Sequence, residues 1–279
     1  MKATHVIRNG SVIDASNASV SVFNKAFFFD FAVYANIKVV RNRLFIPDFE
    51  VEKLFESATK LGLTHDFKKE DVVAWAKLLV EKEKPGDALL RLLLVGAASR
   101  DEAPQLFIFP VGLTFYSDKF YSRGATLVSV RGERHVPGVK SKDLLMSFQA
   151  YGEAEKKGAI DALLVDKNGN VREGTRTTFY AIKGDELITA PKDLVLEGVT
   201  RKIVLELAPS PSVGLKVVEK EIPLDDLLNK KFDEALISNT TMGVIPVNKI
   251  DGAEYAVGPK TKALIKAFKD YCAKSEHWV

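Results

Sequence analysis

The sequence predicts a mixed α/β (α+β) protein in two domains, and three observations lead there. The chain has 279 residues, more than one modest domain holds. Hairpin signals and helical apolar spacings alternate along it. Between them the pattern lapses once, where Thr114 to Arg123 is aromatic and polar with no period. A small N-terminal α/β domain is therefore expected at 1–115, a linker at 116–124 and a larger, β-rich C-terminal domain at 125–279.

Each element has a local reason. Val6-Ile7-Arg8-Asn9-Gly10-Ser11-Val12-Ile13 carries an Asn-Gly turn between apolar runs, which predicts a hairpin. Val20 to Phe23 and Phe27 to Phe29 read as strand ends. Val33 to Val40 and Leu44 to Ile46 flank Arg41-Asn42-Arg43 as a second hairpin. Val51, Leu54, Phe55, Ala58 and Leu61 share one helical face, as do Val72, Val73, Ala76, Leu79 and Val80, the latter stopped by Pro85-Gly86. Leu89 to Val95 and Leu106 to Val111 complete the first domain as strands. In the second, a strand at Ala125 to Val130 precedes a helix over Leu144 to Lys157, with Gly158 as its stop. A hairpin turns at Asn168-Gly169, and strands follow at 179–182, 187–189, 215–218 and 235–237. Helices are expected from Thr200, where the hydroxyl reads as an N-cap, at 224–228, and over Lys260 to Tyr271.

Composition narrows the function classes. With 46% hydrophobic and 28% charged residues the chain is ordinary for a globular protein. Its net charge is +3, and basic residues are dispersed without an arm, which argues against nucleic acid as a partner. The single cysteine, Cys272, allows no intrachain disulfide and suggests no thiolate metal cluster, so no metal is expected. No apolar run approaches the roughly 18 residues that span a membrane, and the start lacks a leader's apolar core, so a cytoplasmic protein without membrane contact is expected.

Four stretches carry chemistry. Lys140 follows Pro137-Gly138, just past a bend. A lysine partly buried among cations there loses its proton near neutrality, as an imine-forming amine must. Read alone, it is as well an ordinary solvated lysine. Glu173-Gly174 ends the second strand of the 161–171 hairpin, where a carboxylate could protonate a pyridine nitrogen or simply face solvent. Gly198-Val199-Thr200-Arg201 opens a helix, which by itself is as well a plain capped helix as one whose free N–H groups take a phosphate. Asn239-Thr240-Thr241-Met242-Gly243 is a small polar loop after an apolar strand, able to add hydroxyls and amides. In this order they read as a site for pyridoxal 5′-phosphate (PLP), which needs a lysine amine, a carboxylate at its ring nitrogen and donors for its phosphate.

The ordered set, with Leu196-Glu197 before Gly198 and Ile245-Pro246-Val247 after the loop, resembles the fold-type IV PLP enzymes, the class IV aminotransferases. These include branched-chain aminotransferases, D-amino acid aminotransferase and 4-amino-4-deoxychorismate lyase. The resemblance is strong over 134–265 and weaker over the first 100 residues. It implies that Lys140 forms the Schiff base and then shuttles a proton. It implies further that Glu173 faces the pyridine nitrogen, Leu196 packs on the ring, and Val199, Thr200 and Thr240 hold the phosphate. Thr241 and Met242 would lie by the substrate carboxylate, Arg91 would reach the substrate, and Tyr34 would wall its pocket. An amino acid (branched-chain or similar) and a 2-oxo acid are the implied substrates, and a homodimer the implied assembly.

Departures from the pattern are specific. Where the family usually has a His and a phosphate-binding Arg, this chain has Glu50-Val51-Glu52-Lys53-Leu54. Lys53 keeps the charge without the bidentate fork, which predicts a weaker hold on the cofactor. A Gly-Asp-Gly and following Glu are replaced by Asp30-Phe31-Ala32-Val33-Tyr34-Ala35, and the Asn of Glu-Gly-Thr-x-x-Asn is Thr178. The leading expectation is an aminotransferase working in two half-reactions. Alternatives are a PLP lyase of the aminodeoxychorismate type and a non-catalytic member that binds PLP or a partner.

Overall fold

In a computed structural model, described here for residues 3–99 and 101–279, the chain forms two compact units, each built on one sheet. The mixed α/β class is as expected. The first unit holds strands β1 (His5–Arg8), β2 (Ser11–Asp14), β3 (Ala32–Val40), β4 (Arg43–Phe45), β5 (Ala88–Val95) and β6 (Gln105–Gly112). Its helices are α1 (Lys25–Phe28), α2 (Pro47–Lys60) and α3 (Lys69–Glu83). The sheet order is β2-β1-β6-β5-β3-β4.

Strict alternation explains the layering. Val33, Ala35, Ile37 and Val39 of β3 lie fully buried on one face, beside Ala88, Leu90, Leu92 and Leu94 of its antiparallel partner β5. Val51, Leu54 and Ala58 of α2 and Val72, Ala76 and Leu79 of α3 cover that face, at the spacing the sequence shows. The opposite face carries Tyr34 and Asn36 across from Leu93 and Arg91. The first hairpin turns through Asn9 and Gly10, both with positive φ, and a Cβ on Gly10 would lie 2.7 Å from the Trp75 ring, so close approach as well as the turn requires glycine there.

The second unit adds α4 (Asp118–Arg123), β7 (Ala125–Arg131), α5 (Leu145–Lys156), β8 (Asp161–Val165), β9 (Asn170–Gly174), β10 (Thr178–Lys183), β11 (Glu186–Thr189) and α6 (Val199–Leu207). It closes with β12 (Lys216–Glu219), β13 (Ile222–Pro223), α7 (Leu224–Leu228), β14 (Glu234–Asn239), β15 (Gly243–Ile250), β16 (Ala253–Glu254) and α8 (Pro259–Ala273). The sheet runs β12-β11-β10-β14-β15-β7-β8-β9-β13, with β16 paired to β15. Its core joins Leu127, Leu163, Phe179, Ala181, Ala235, Ile237, Ile245 and Val247. Every residue of β8 and β9 is buried, and the two strands are joined through Asp166, whose Oδ1 accepts the Asn168 and Asn170 N–H groups.

Several expectations are corrected. Residues 20–29 are not strand ends: the Asn24 side chain accepts the Ala26 N–H and caps α1, leaving Phe23, Phe28 and Phe29 exposed. The 116–124 linker contains α4, whose Tyr121 hydroxyl donates to the Met242 carbonyl. The helix expected from a Thr200 cap is instead capped two residues earlier, by Gly198 in extended conformation with no side-chain cap. By contacts, Val139–Asp143 and Lys274–Val279 belong to the first unit. Hydrogen bonds give the reason: Tyr34 N–H donates to the Lys140 carbonyl, Lys142 N–H to Ala32, and Leu44 N–H to Val279.

No described helix is long and apolar enough to cross a membrane. No group of three or more His, Cys, Asp or Glu placed to hold a metal occurs among the described residues.

Candidate functional site

Lys140 is held from two sides. Ser141 bridges Val33 of β3, the Tyr34 N–H donates to the Lys140 carbonyl at 2.9 Å, and the Lys140 N–H donates to Ser57 Oγ of α2 at 3.3 Å. Its side chain is buried, and Nζ donates to Glu50 Oε2 at 2.9 Å. Glu50 is 1% exposed, and its Oε1 has no hydrogen-bond partner. A setting among cations was expected for this lysine. Its partner in the structure is a carboxylate.

Glu50 went unrecognised because 90 residues separate it from Lys140 in sequence. One signal was present: Glu50, Leu54, Ser57 and Ala58 fall on a single helical face, so a charge stands in an apolar stripe. Lys53, one turn on, pairs with Glu56 at 2.8 Å and lies 5.5 Å over the Phe49 ring. On the other face of the first sheet, the Arg91 guanidinium stands 5.2 Å over the Tyr34 ring and its Nε donates to Asn36 Oδ1 at 3.1 Å. Tyr34 and Arg91 are thus brought together, with Asn36 a companion that sequence reasoning did not single out.

The second unit gathers its own set. Glu173 is 5% exposed, and its Oε2 accepts the Leu196 N–H at 3.3 Å. Burial pushes its carboxyl up to about 7, against the opposing pull of Arg134 and the Leu196 N–H. Gly174 is required by contact: a Cβ there would lie 2.6 Å from Asp161 Oδ2 and press on the Thr177 hydroxyl. Asp161 itself accepts the Thr175 and Thr177 hydroxyls, and burial raises its carboxyl above the ordinary range. At the start of α6, Val199, Thr200 and Arg201 are buried, and the Arg201 Nε has no partner although Nη2 donates to Ala190 O and Glu219 Oε1, each at 3.1 Å.

The loop after β14 departs from expectation in part. The Thr241 and Met242 N–H groups are taken by Asn239 Oδ1 at 2.9 and 2.8 Å, so they are not free donors. Met242 packs in the core, while Thr240 and Thr241 are half-buried.

Residues 32–250 match the family model described as amino-transferase class IV. The chain belongs to the class IV aminotransferases. It is 30% identical to a D-alanine aminotransferase of Bacillus licheniformis over 95% of this chain and 96% of that one. It is also 30% identical, with the same coverage, to a putative branched-chain-amino-acid aminotransferase of Methanocaldococcus jannaschii. Among solved structures it superposes on the Escherichia coli branched-chain amino acid aminotransferase at TM-score 0.87 and 22% identity, over 96% of this chain and 94% of that chain. The Thermoproteus uzoniensis branched-chain aminotransferase with norvaline gives 0.85 and 24%, over the same shares of the two chains. At these identities the structures speak for the fold.

Class IV aminotransferases use PLP, and the residues of this one fit it. A carboxyl raised to about 7 by burial lacks a strong cationic partner, which a protonated pyridine nitrogen supplies. An uncapped helix start with a buried threonine hydroxyl and backbone donors suits a phosphate. A buried lysine with a fixed backbone suits a covalent link.

Proposed function

We propose that this PLP-dependent aminotransferase links its cofactor through Lys140 and moves an amino group between an apolar amino acid, branched-chain or similar, and a 2-oxo acid. One observation carries the assignment: Lys140 is the only buried lysine among the described residues. Lysine is rarely buried without a task. When bound, PLP supplies an aldehyde for the amine and a ring that accepts electrons from the substrate's Cα.

The chain's own residues do the rest. Glu173 holds a proton by the ring nitrogen. Val199, Thr200 and Thr240 bind the phosphate, with Lys53 adding charge, and Leu196 covers the ring. Lys140, once its amine is free, carries the proton that leaves Cα. Arg91, braced by Tyr34 and Asn36, binds the substrate carboxylate, and Tyr34, Thr241 and Met242 shape that side. The relatives named for D-alanine and for branched-chain amino acids support an apolar side chain. Exposed Phe23, Phe28, Phe29, Phe115 and Phe148 support a homodimer, checked by sedimentation mass. The cytoplasm is the proposed compartment, and the two units are proposed as the small and large domains of the sequence division.

The test is the absorption spectrum of protein reconstituted with PLP, before and after L- and D-amino acids. The expected result is a visible band, bleached by apolar amino acids, restored by a 2-oxo acid, and lost in Lys140→Ala. A wild-type band unchanged in Lys140→Ala would overturn the lysine assignment. Pyruvate release without restoration by a 2-oxo acid would favour lyase chemistry.

A further inference from the structure

The Lys140–Glu50 pair is not explained by the roles above. Transamination needs a lysine amine that is sometimes linked and sometimes free. The ammonium of Lys140 does not face solvent: Nζ donates to Glu50 Oε2 at 2.9 Å, with side-chain exposures of 10% and 1%. The same helix also holds the lysine's backbone through Ser57. Glu50 Oε1 is buried without a partner, so the carboxylate has room for one more proton or donor.

We propose that Glu50 is a positioning residue for the free state of Lys140: it docks the released ammonium and holds it in place until the amine is next used. With the charge-assisted hydrogen bond at 2.9 Å and both side chains buried, the docked amine is withheld from reagents in solvent.

The elements that hold Lys140 carry other ionisable groups. On α2 these are Asp48, Glu52, Lys53 paired with Glu56, and Lys60. On β3 they are Tyr34 and Lys38, on β5 Arg91 over the Tyr34 ring, and in 139–143 Lys142, paired with Asp30, and Asp143. Of all these, Glu50 is the one that forms an ion pair with Nζ.

The inference rests on Lys140 being the cofactor lysine, but its test needs no cofactor. Cofactor-free protein is treated with a lysine-acylating reagent across a range of pH, and each lysine's rate is read by peptide mass. Exposed Lys266 is the internal reference. In Glu50→Gln, which removes the charged partner of Nζ, the Lys140 rate near neutral pH should rise about tenfold relative to wild type. Glu52→Gln, which removes a carboxylate of the same helix that pairs with Lys69 instead, should follow wild type. Superimposable profiles for Glu50→Gln and wild type would overturn the proposal. If Glu50→Gln does not fold, Glu50→Asp decides, because its shorter side chain withdraws the carboxylate from Nζ: a Lys140 rate raised over wild type supports the proposal and an unchanged rate overturns it. Failure of the cofactor assignment shows separately, as no borohydride-trapped PLP on Lys140.

Discussion

Lys140 and Glu173 are both buried ionisable groups, one in each unit, and they meet burial differently. Lys140 has an opposite charge at 2.9 Å. Glu173 has a single backbone N–H at 3.3 Å, with Arg134 and Arg201 pulling from farther off, and its carboxyl is pushed up to about 7. The first is a closed pair. The second is an acid whose charged form becomes favourable only when a cation arrives. A carbonyl group that took the amine would have to break the first, and a cation beside the carboxyl would complete the second.

The largest effect that tests this contrast is electrostatic. Between about pH 4.5 and about 7, native Glu173 keeps a proton that the unfolded chain has lost. Stability of the cofactor-free protein therefore falls as pH rises through that window, with the penalty absent below it and complete above it. The full penalty is about 3 kcal/mol. Glu173→Gln should remove that component of the slope, as read by denaturant unfolding at both ends of the window. An unchanged slope would mean that Glu173 is already compensated, and the contrast with Lys140 would be lost.

A second effect is steric. Gly174→Ala would press its Cβ on Asp161 and Thr177, with Asp161 Oδ2 at 2.6 Å. A loss of about 2 kcal/mol in unfolding free energy is expected, with weaker PLP binding as Glu173 shifts. A variant as stable as wild type would show that the strand end is free to move. The smallest effect concerns the phosphate. Thr200→Ala deletes one hydroxyl donor and should weaken PLP binding about tenfold in an absorbance titration. It should leave the Glu173 slope intact.

Much of the fold was legible because local pattern and tertiary packing agree. The alternation in β3, the stripes of α2 and α3, and the Asn-Gly turns at 9–10 and 168–169 needed no distant information. Residues 20–29 misled because Phe23, Phe28 and Phe29 are exposed, so their apolarity does not report a core. The α6 cap was misplaced by two residues because Gly198 takes the extended cap conformation itself and frees Thr200 to be buried in the first turn. Lys140, Glu173, Tyr34 and Arg91 were nameable from motif order. The partners Glu50 of Lys140 and Asn36 of Arg91 were not, because pairing across 90 or 55 residues is fixed by the sheet and helix packing rather than by local sequence.

The first unit is closed by residues 274–279, made long after the rest of it. Phe45 of β4 bridges Trp278, Leu44 and Val279 exchange hydrogen bonds at 2.7 and 3.0 Å, and the Arg43 guanidinium donates to the Ser275 and Trp278 carbonyls. On the ribosome, about 160 residues must follow residue 114 before that seam can form, roughly 10–30 s of synthesis. Throughout that interval β4 is an open sheet edge, available to a neighbouring nascent chain. Slower synthesis of the second unit lengthens that exposure, and pairing of Leu44 with Val279 ends it.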